Sequence, residues 1–281
     1  MKIGIVGLGL MGGSIAKALK PHHEIHALDR DQNAIQFALN NSIIDFGYLD
    51  AAEFFNHPDV IYVCLYPREL VDFVKNSVTL FKKGTILIEI SGVKTSIVQA
   101  LEPFVPENVE MVYSHPVAGR EKIGVAGSNA SIFVGANYII VPLDSNSTKA
   151  LDLTDRLARE MGFASISYLS PEKHDAIIAY TSQLTHILSL ALVLSDDQSF
   201  DTGKFIGDSY RDLTRIAMIN SPLWAELFME NKTQLLDKIK GFKLALDAYE
   251  SCLKNNNEAE LVGLMNTAKA IRLGLEKNNL K

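Results

Sequence analysis

Four short segments of this chain combine ionisable side chains, hydroxyls and glycines in ways that could do chemistry. The first is Gly7-Leu8-Gly9-Leu10-Met11-Gly12, a G-x-G-x-x-G pattern. In such a run one glycine makes a tight turn, one lets the backbone approach a pyrophosphate, and one lets helix and strand pack closely. The anion then lies at a helix N-terminus, where unpaired N–H groups and the helix dipole favour negative charge. The context is also in place: an apolar strand precedes the glycines, a helical pattern follows, and an acidic residue closes the next strand. Asp29 stands 22 residues after Gly7, the spacing of a carboxylate that binds ribose hydroxyls and repels a 2′-phosphate. This favours NAD over NADP. Arg30, beside it, could pair with such a phosphate or stack on adenine. A glycine-rich turn without a ligand is the alternative, and the combined context weighs against it.

The second segment is Ser114-His115-Pro116-Val117-Ala118-Gly119, placed directly after an expected strand. Ligands of parallel sheets bind outside the carboxyl ends of strands, and imidazole is the side chain best suited to take a proton near neutral pH. An ordinary loop histidine is the alternative for His115. The third is Ser91-Gly92-Val93-Lys94. Here Ser91 could hydrogen-bond a histidine or a nicotinamide amide, and Lys94 could counter a substrate charge; a plain strand-to-helix loop is the alternative. In the fourth, Arg211 and Arg215 lie four apart and share a helix face. They suggest bidentate recognition of carboxylates, or else surface ion pairs with Asp208 and Asp212. His174 and His186 are 12 apart, not the four of a helical zinc pair, so no metal site is expected.

The elements that must carry these residues alternate in the first half. Apolar runs at Lys2–Val6, Glu24–Leu28, Val60–Leu65, Thr85–Ile90, Glu110–Ser114, Asn137–Val141 and Ala164–Tyr168 read as strands, separated by helical patterns. That order predicts an α/β, Rossmann-type, doubly wound parallel sheet. From Pro171 onward apolar residues recur at helical spacing, and Ser170-Pro171 and Ser221-Pro222 read as helix starts. The expected division is therefore residues 1–168 as a dinucleotide-binding domain and 169–281 as an all-α domain for substrate binding and dimerisation.

Composition excludes several classes. The 281 residues are 47% apolar and 21% charged, with a net charge of −6, which argues against intrinsic disorder and against a nucleic-acid binder. The two cysteines, Cys64 and Cys252, cannot form a disulfide framework and fit a reducing compartment. The chain starts MKIGIVGLG, without the pattern of a secretory signal. No contiguous apolar run reaches a membrane span's length. A cytoplasmic protein without membrane or nucleic-acid partners is expected.

Together these segments resemble the prephenate/arogenate dehydrogenase family, the tyrosine-pathway oxidoreductases, over nearly the whole chain. The resemblance rests on GLGLMGGSIA, the Ser91–Lys94 stretch, SHPVAGRE at Ser114–Glu121, His174-Asp175 with Gln183 and His186, RDLTRIA at Arg211–Ala217, and Trp224. It implies that NAD oxidises prephenate, a cyclohexadienol with a ring carboxylate and a pyruvyl side chain, with loss of CO2. His115 would then accept the ring hydroxyl's proton and Arg215 would hold a substrate carboxylate, with Arg211 or Lys94 as candidate second cations. His186 would face the substrate side chain, Glu121 would lie near the mouth of the site, and Trp224 would line it. A homodimer through the helical domains is also implied. The family often has Ser-Val-Lys where this chain has Gly92-Val93-Lys94, which leaves Ser91 as the candidate catalytic hydroxyl. Its S-H-L-P-H reads Ser182-Gln183-Leu184-Thr185-His186 here, so Gln183 is a candidate contact to the side chain. Two other enzymes are weighed: an arogenate dehydrogenase, and a β-hydroxyacid dehydrogenase, which would need a catalytic lysine such as Lys173 and would leave SHPVAG and RDLTRIA without a role. A regulator that binds NAD(H) without turnover would need neither His115 nor Arg215.

Overall fold

The computed structural model describes residues 1–119 and 122–279. The strands are β1 (Lys2–Val6), β2 (Glu24–Leu28), β3 (Phe46–Tyr48), β4 (Val60–Val63), β5 (Ile86–Glu89), β6 (Glu110–Val117), β7 (Asn137–Val141) and β8 (Ser165–Tyr168). They form one sheet in the order β3-β2-β1-β4-β5-β6-β7-β8. Neighbours run parallel except β6 and β7. Between strands come α1 (Leu10–Leu19), α2 (Gln32–Asn40), α3 (Ala51–Phe54), α4 (Pro67–Ser77), α5 (Thr95–Leu101) and α6 (Thr148–Glu160). After the sheet follow α7 (Pro171–Ile178), α8 (Leu184–Leu194), α9 (Asp208–Thr214), α10 (Ser221–Glu230), α11 (Lys232–Lys254) and α12 (Glu258–Asn279). The expected doubly wound sheet followed by a helical segment is thus the fold, with one correction: the sheet is mostly rather than wholly parallel, because β7 runs antiparallel to β6. Two compact units divide the chain, Met1–Lys232 and Thr233–Lys281.

Helices on both faces explain why the inner strands are apolar throughout instead of alternating with polar residues. Ile3, Ile5, Tyr62, Ile88 and Val112 pack on one face. Val6, Ile61, Val63, Leu87 and Met111 pack on the other. Strand periodicity of two sends successive residues to opposite cores.

Three local features differ from the sequence expectation, and each bears on the site. First, β6 does not stop at Ser114 but runs to Val117, so His115 is a strand residue rather than a loop residue. It pairs with Ile139 of β7, while the β5 pairing has already ended at Tyr113. Pro116 is tolerated there because no strand on the β5 side needs its missing N–H. Second, α7 and α8 are joined by a π-helical turn at Ala179–Gln183; such turns widen a helix and re-aim the side chains that follow. Third, β3 and α3 fill a stretch that shows no clear period in the sequence. Ser170 caps α7 as expected, accepting from the Lys173 N–H at 3.3 Å. The cap of α10 is Asn220, one residue earlier than expected, with Ser221 and Pro222 inside the first turn.

By length and composition the helical stretch Pro171–Leu194 could cross a membrane, although polar residues interrupt its apolar run. One of its polar side chains is matched by protein instead: Gln183 is buried and hydrogen-bonded to the Leu227 carbonyl.

The turn after β1 sets a sharp packing constraint. A Cβ on Gly12 would lie 1.9 Å from the Gly7 carbonyl oxygen, whereas one on Gly9 would meet nothing within 4 Å. Alanine in a helix normally gains about 1 kcal/mol over glycine. Gly12→Ala is expected to lower the urea midpoint despite that gain, and Gly9→Ala to change stability by no more than about 1 kcal/mol. A Gly12→Ala protein as stable as the parent would show that helix and turn do not pack this closely.

Candidate active site

The site is a cavity of about 670 Å³ at the carboxyl ends of β1, β4, β5 and β6, closed by α7, α8 and α10. One end is built by the turn into α1. Gly7 has φ +90°, a conformation glycine reaches freely. The α1 cap, Gly9, offers no capping side chain, and the first turn carries no acidic residue. The α1 N–H groups therefore face the cavity as an anion site, and the open space over Gly9 is where a pyrophosphate would approach. Gly9, Leu10 and Met11 line the cavity. Gly7, Leu8 and Gly12 stand behind it and shape the turn. Asp29 accepts from the Leu8 N–H at 2.6 Å and the Asp31 N–H at 2.8 Å, which holds its carboxylate beside the turn. Arg30 is 87% exposed and pairs with Glu69 at 2.9 Å. These residues fit a dinucleotide.

His115 enters the cavity from β6. Its Nδ1 lies 2.9 Å from Nε2 of His174, on α7, and the His174 Nδ1–H donates to Asp175 Oδ1 at 2.8 Å. Asp175 also accepts from the Lys94 and Thr95 N–H groups, both at 2.8 Å. Burial pushes the His115 imidazole well below its ordinary pKa, and the neighbouring His174 and Lys94 push the same way. Burial likewise lowers His174, against the pull of Asp175. Burial works to raise Asp175, but the bonds from His174 and Thr95 outweigh it and hold the carboxyl below its usual range.

Around His115 the sequence expectations are sorted by geometry. Arg215, His186, Trp224, Gln183 and Ser91 line the cavity with His115. The His186 and Trp224 rings lie 3.6 Å apart between centroids, and the His186 Nδ1–H donates to the Ser182 carbonyl at 2.8 Å. Ser91 does not bridge to His115: its hydroxyl donates to the Val93 carbonyl at 2.8 Å. Gln183 is nearly fully buried. Its amide donates to the Leu227 carbonyl at 3.1 Å and accepts from Asn231 at 2.9 Å, so its polar atoms fasten α10 to the helix instead of facing a substrate.

Lys94 and Arg211 require correction. Lys94 is absent from the cavity wall. It is fully buried and forms an ion pair with the equally buried Glu89, and it donates to the Ser91 carbonyl at 2.7 Å. A free ammonium would have to leave a buried partner to reach a substrate, so Lys94 holds the β5–α5 loop together. Burial lowers Lys94 and raises Glu89, each against the attraction of the other. Arg211 points to Asp208 at 3.4 Å in an exposed pair, the surface alternative read from the sequence. Glu121 lies outside the described residues. Sequence reasoning missed the part played by His174 and Asp175, whose adjacency and resemblance to the family motif were the available signal. It also missed Lys122, Tyr66 and Asn220, which line the cavity.

A Rossmann-type sheet with a dinucleotide turn, a buried imidazole and a cationic wall at one cavity defines an NAD-dependent dehydrogenase with a helical second part. The nucleotide-binding domain of prephenate dehydrogenase matches residues 15–167, and its dimerization domain matches residues 170–267. The chain belongs to the prephenate dehydrogenase family. A prephenate dehydrogenase of Bacillus subtilis is 27% identical over 96% of this chain and 75% of its own. A cyclohexadienyl dehydrogenase of Zymomonas mobilis is 25% identical over 99% of this chain and 97% of its own. A prephenate dehydrogenase of A. aeolicus, solved with hydroxyphenyl propionate and NAD+, superposes with a TM-score of 0.89 at 29% identity, covering 98% of each chain.

The buried Lys94–Glu89 pair makes a further prediction. Removing one partner of a buried pair typically costs about 3–5 kcal/mol, because the other charge is left uncompensated. Lys94→Met should lower stability by that order in urea unfolding at neutral pH, and Glu89→Gln with Lys94→Met should recover much of the loss. An unchanged midpoint for Lys94→Met would mean that the pair is solvated.

Proposed function

We propose that this cavity converts prephenate to 4-hydroxyphenylpyruvate and CO2, with His115 as the general base and Arg215 as the carboxylate anchor. The observation that supports this most is a buried, neutral-leaning imidazole set between an anion-binding helix end and a cationic wall. NAD would be held by Gly9, Leu10, Met11 and Asp29, and when bound it supplies the hydride acceptor. The Asp29 carboxylate would take the adenosine ribose hydroxyls, which supports NAD over NADP.

His115 Nε2 takes the proton of the ring hydroxyl as the C–O bond gains carbonyl character. Departure of the ring carboxylate as CO2 leaves an aromatic ring, and the resulting phenolate takes the proton back from Nε2. The imidazole thus ends neutral, as it began. The protein's work is to orient the ring and to balance two carboxylates. Arg215 meets one of them through a planar, bidentate guanidinium, and Lys122 adds a second cation on the wall. Trp224, Leu223, Leu227 and Ile178 supply apolar surface that excludes water. His186, fixed by Ser182 and in tilted ring contact with Trp224, stands where the substrate side chain would lie.

In this reading residues 1–168 form the cofactor part and 169–281 the substrate and dimer part of a cytoplasmic homodimer. The match of residues 170–267 to a dimerization domain supports the dimer. So do the exposed apolar side chains Leu236, Leu244, Leu253, Met265, Ile271 and Leu273 on α11 and α12, which a dimer contact would bury.

Mixing protein, NAD and prephenate should produce NADH absorbance. Turnover with arogenate alone would reassign the substrate, and no signal with either would end the proposal. His115→Asn should lower kcat by about 10²–10⁴-fold while leaving NAD affinity unchanged. Full turnover by that variant would remove His115 as the base. Arg215→Ala should act mainly on KM, with a loss of about 2–5 kcal/mol in kcat/KM; an unchanged KM would take Arg215 out of the site. Because burial lowers the His115 pKa, the base stays neutral as pH falls. The acid limb of kcat/KM should therefore lie below pH 6.5, the ordinary imidazole value, and a limb above it would contradict the buried setting.

A further inference from the structure

We propose that Asp175 and His174 are positioning residues that fix the tautomer of His115, so that its lone pair faces the cavity. The inference deepens the proposed function and rests on His115 being the base. It follows from donor and acceptor bookkeeping along one line of hydrogen bonds. Asp175 is ionised and can only accept. Its Oδ1 takes the Lys94 N–H and the His174 Nδ1, and its Oδ2 takes the Thr95 N–H. His174 must therefore carry its proton on Nδ1. Its Nε2, neutral in a site with no solvent exposure, is left as an acceptor. The bond of 2.9 Å to His115 Nδ1 then requires the proton on that Nδ1. A neutral His115 has one N–H, so Nε2 is the basic nitrogen.

Nothing else in the described protein does this. Among the described residues no group hydrogen-bonds His115 Nε2. Gly92, whose added Cβ would lie 3.8 Å from that nitrogen, has no side chain to offer. The nearby Ser91 hydroxyl is committed to the Val93 carbonyl. Orientation of the base therefore comes from behind, through His174. A second proton on His174 would reverse the line: its Nε2–H would donate to His115 Nδ1 and force the proton onto the catalytic nitrogen. The groups facing His174 are Asp175 on its own helix, His115 on β6 and Lys94 on the β5–α5 loop. Lys94 opposes that second proton.

The anchor is also well held. Asp175 ties the start of α5 to α7 through two backbone N–H groups, and its own carbonyl accepts from Asn231 at 2.9 Å. The same carboxylate thus sets both the loop that borders the cavity and the tautomer of the base. In a serine-protease triad the buried Asp plays a comparable part, and replacing it with Asn leaves the geometry but yields the wrong tautomer, with a loss of about 10⁴-fold in kcat.

The test compares four proteins with prephenate and NAD: the parent, Asp175→Asn, His174→Gln and His174→Leu. Asp175→Asn can donate to His174 Nδ1 and so invert the line. It should lower kcat by about 10²–10⁴-fold with KM and NAD affinity little changed. The Gln amide oxygen sits near the place of His Nε2 and can accept the His115 Nδ1–H, whereas Leu cannot. His174→Gln should therefore keep kcat at least about tenfold above His174→Leu, the worth of one hydrogen bond of about 1.4 kcal/mol. Thermal unfolding and NAD titration establish that each variant is folded. If Asp175→Asn is not, because it also caps α5, the Gln and Leu comparison decides. Equal kcat for those two, or an intact Asp175→Asn within about threefold of the parent, would overturn the proposal. A parent without turnover, by contrast, would fail the proposed function and not this inference alone.

Discussion

The Asp175 carboxylate is the constraint on which the rest of the site depends. It is buried, ionised and surrounded by N–H donors from two separate stretches of chain. A buried charge is tolerated only when its lone pairs are satisfied, so the start of α5, the start of α7 and the His174 ring must all stand in one arrangement. That arrangement carries His115 at its end. The Rossmann sheet brings β5 and β6 side by side, and Asp175 joins them to the helix that closes the cavity. The fold and the chemistry therefore share one set of hydrogen bonds.

Charge has to be read locally in this protein. The chain carries a net charge of −6, yet the proposed substrate is a dianion. Arg215 and Lys122 supply positive charge at the cavity wall. Lys94 does not, because Glu89 neutralises it inside the protein. It acts on the site in another way, by discouraging extra protons on His115 and His174. A lysine near a site can thus favour a neutral base without touching the ligand, and the distinction depends on burial rather than on residue type.

Much of this was legible in the chain. The alternation of strand and helix, the glycine turn and Asp29 follow from motif and period, whereas the presence of His115, Arg215, His186 and Trp224 at one place is what the family resemblance implies. What the sequence could not show was direction. Lys94 and Arg211 have the right charge, but one faces a buried carboxylate and the other solvent; only tertiary packing decides that. The end of β6 was misplaced because Pro116 reads as a strand stop, and it is allowed only because β5 has already turned away. The π turn at Ala179–Gln183 has no sequence signature, although it sets the facing of Gln183 and His186. The His174 role was hidden because its partner on β6 is 59 residues away in sequence, and no local pattern brings the two rings together.

The proposed chemistry depends on the protonation state of one ring, and nitrogen NMR of the histidines reads it directly. The chain has seven histidines, and His115→Asn identifies the His115 signals by their loss. At pH 6.5 the account predicts a neutral His115 with the proton on Nδ1 and an unprotonated Nε2, and a neutral His174 with its proton likewise on Nδ1. An imidazolium at either position, or a His115 proton on Nε2, would contradict it.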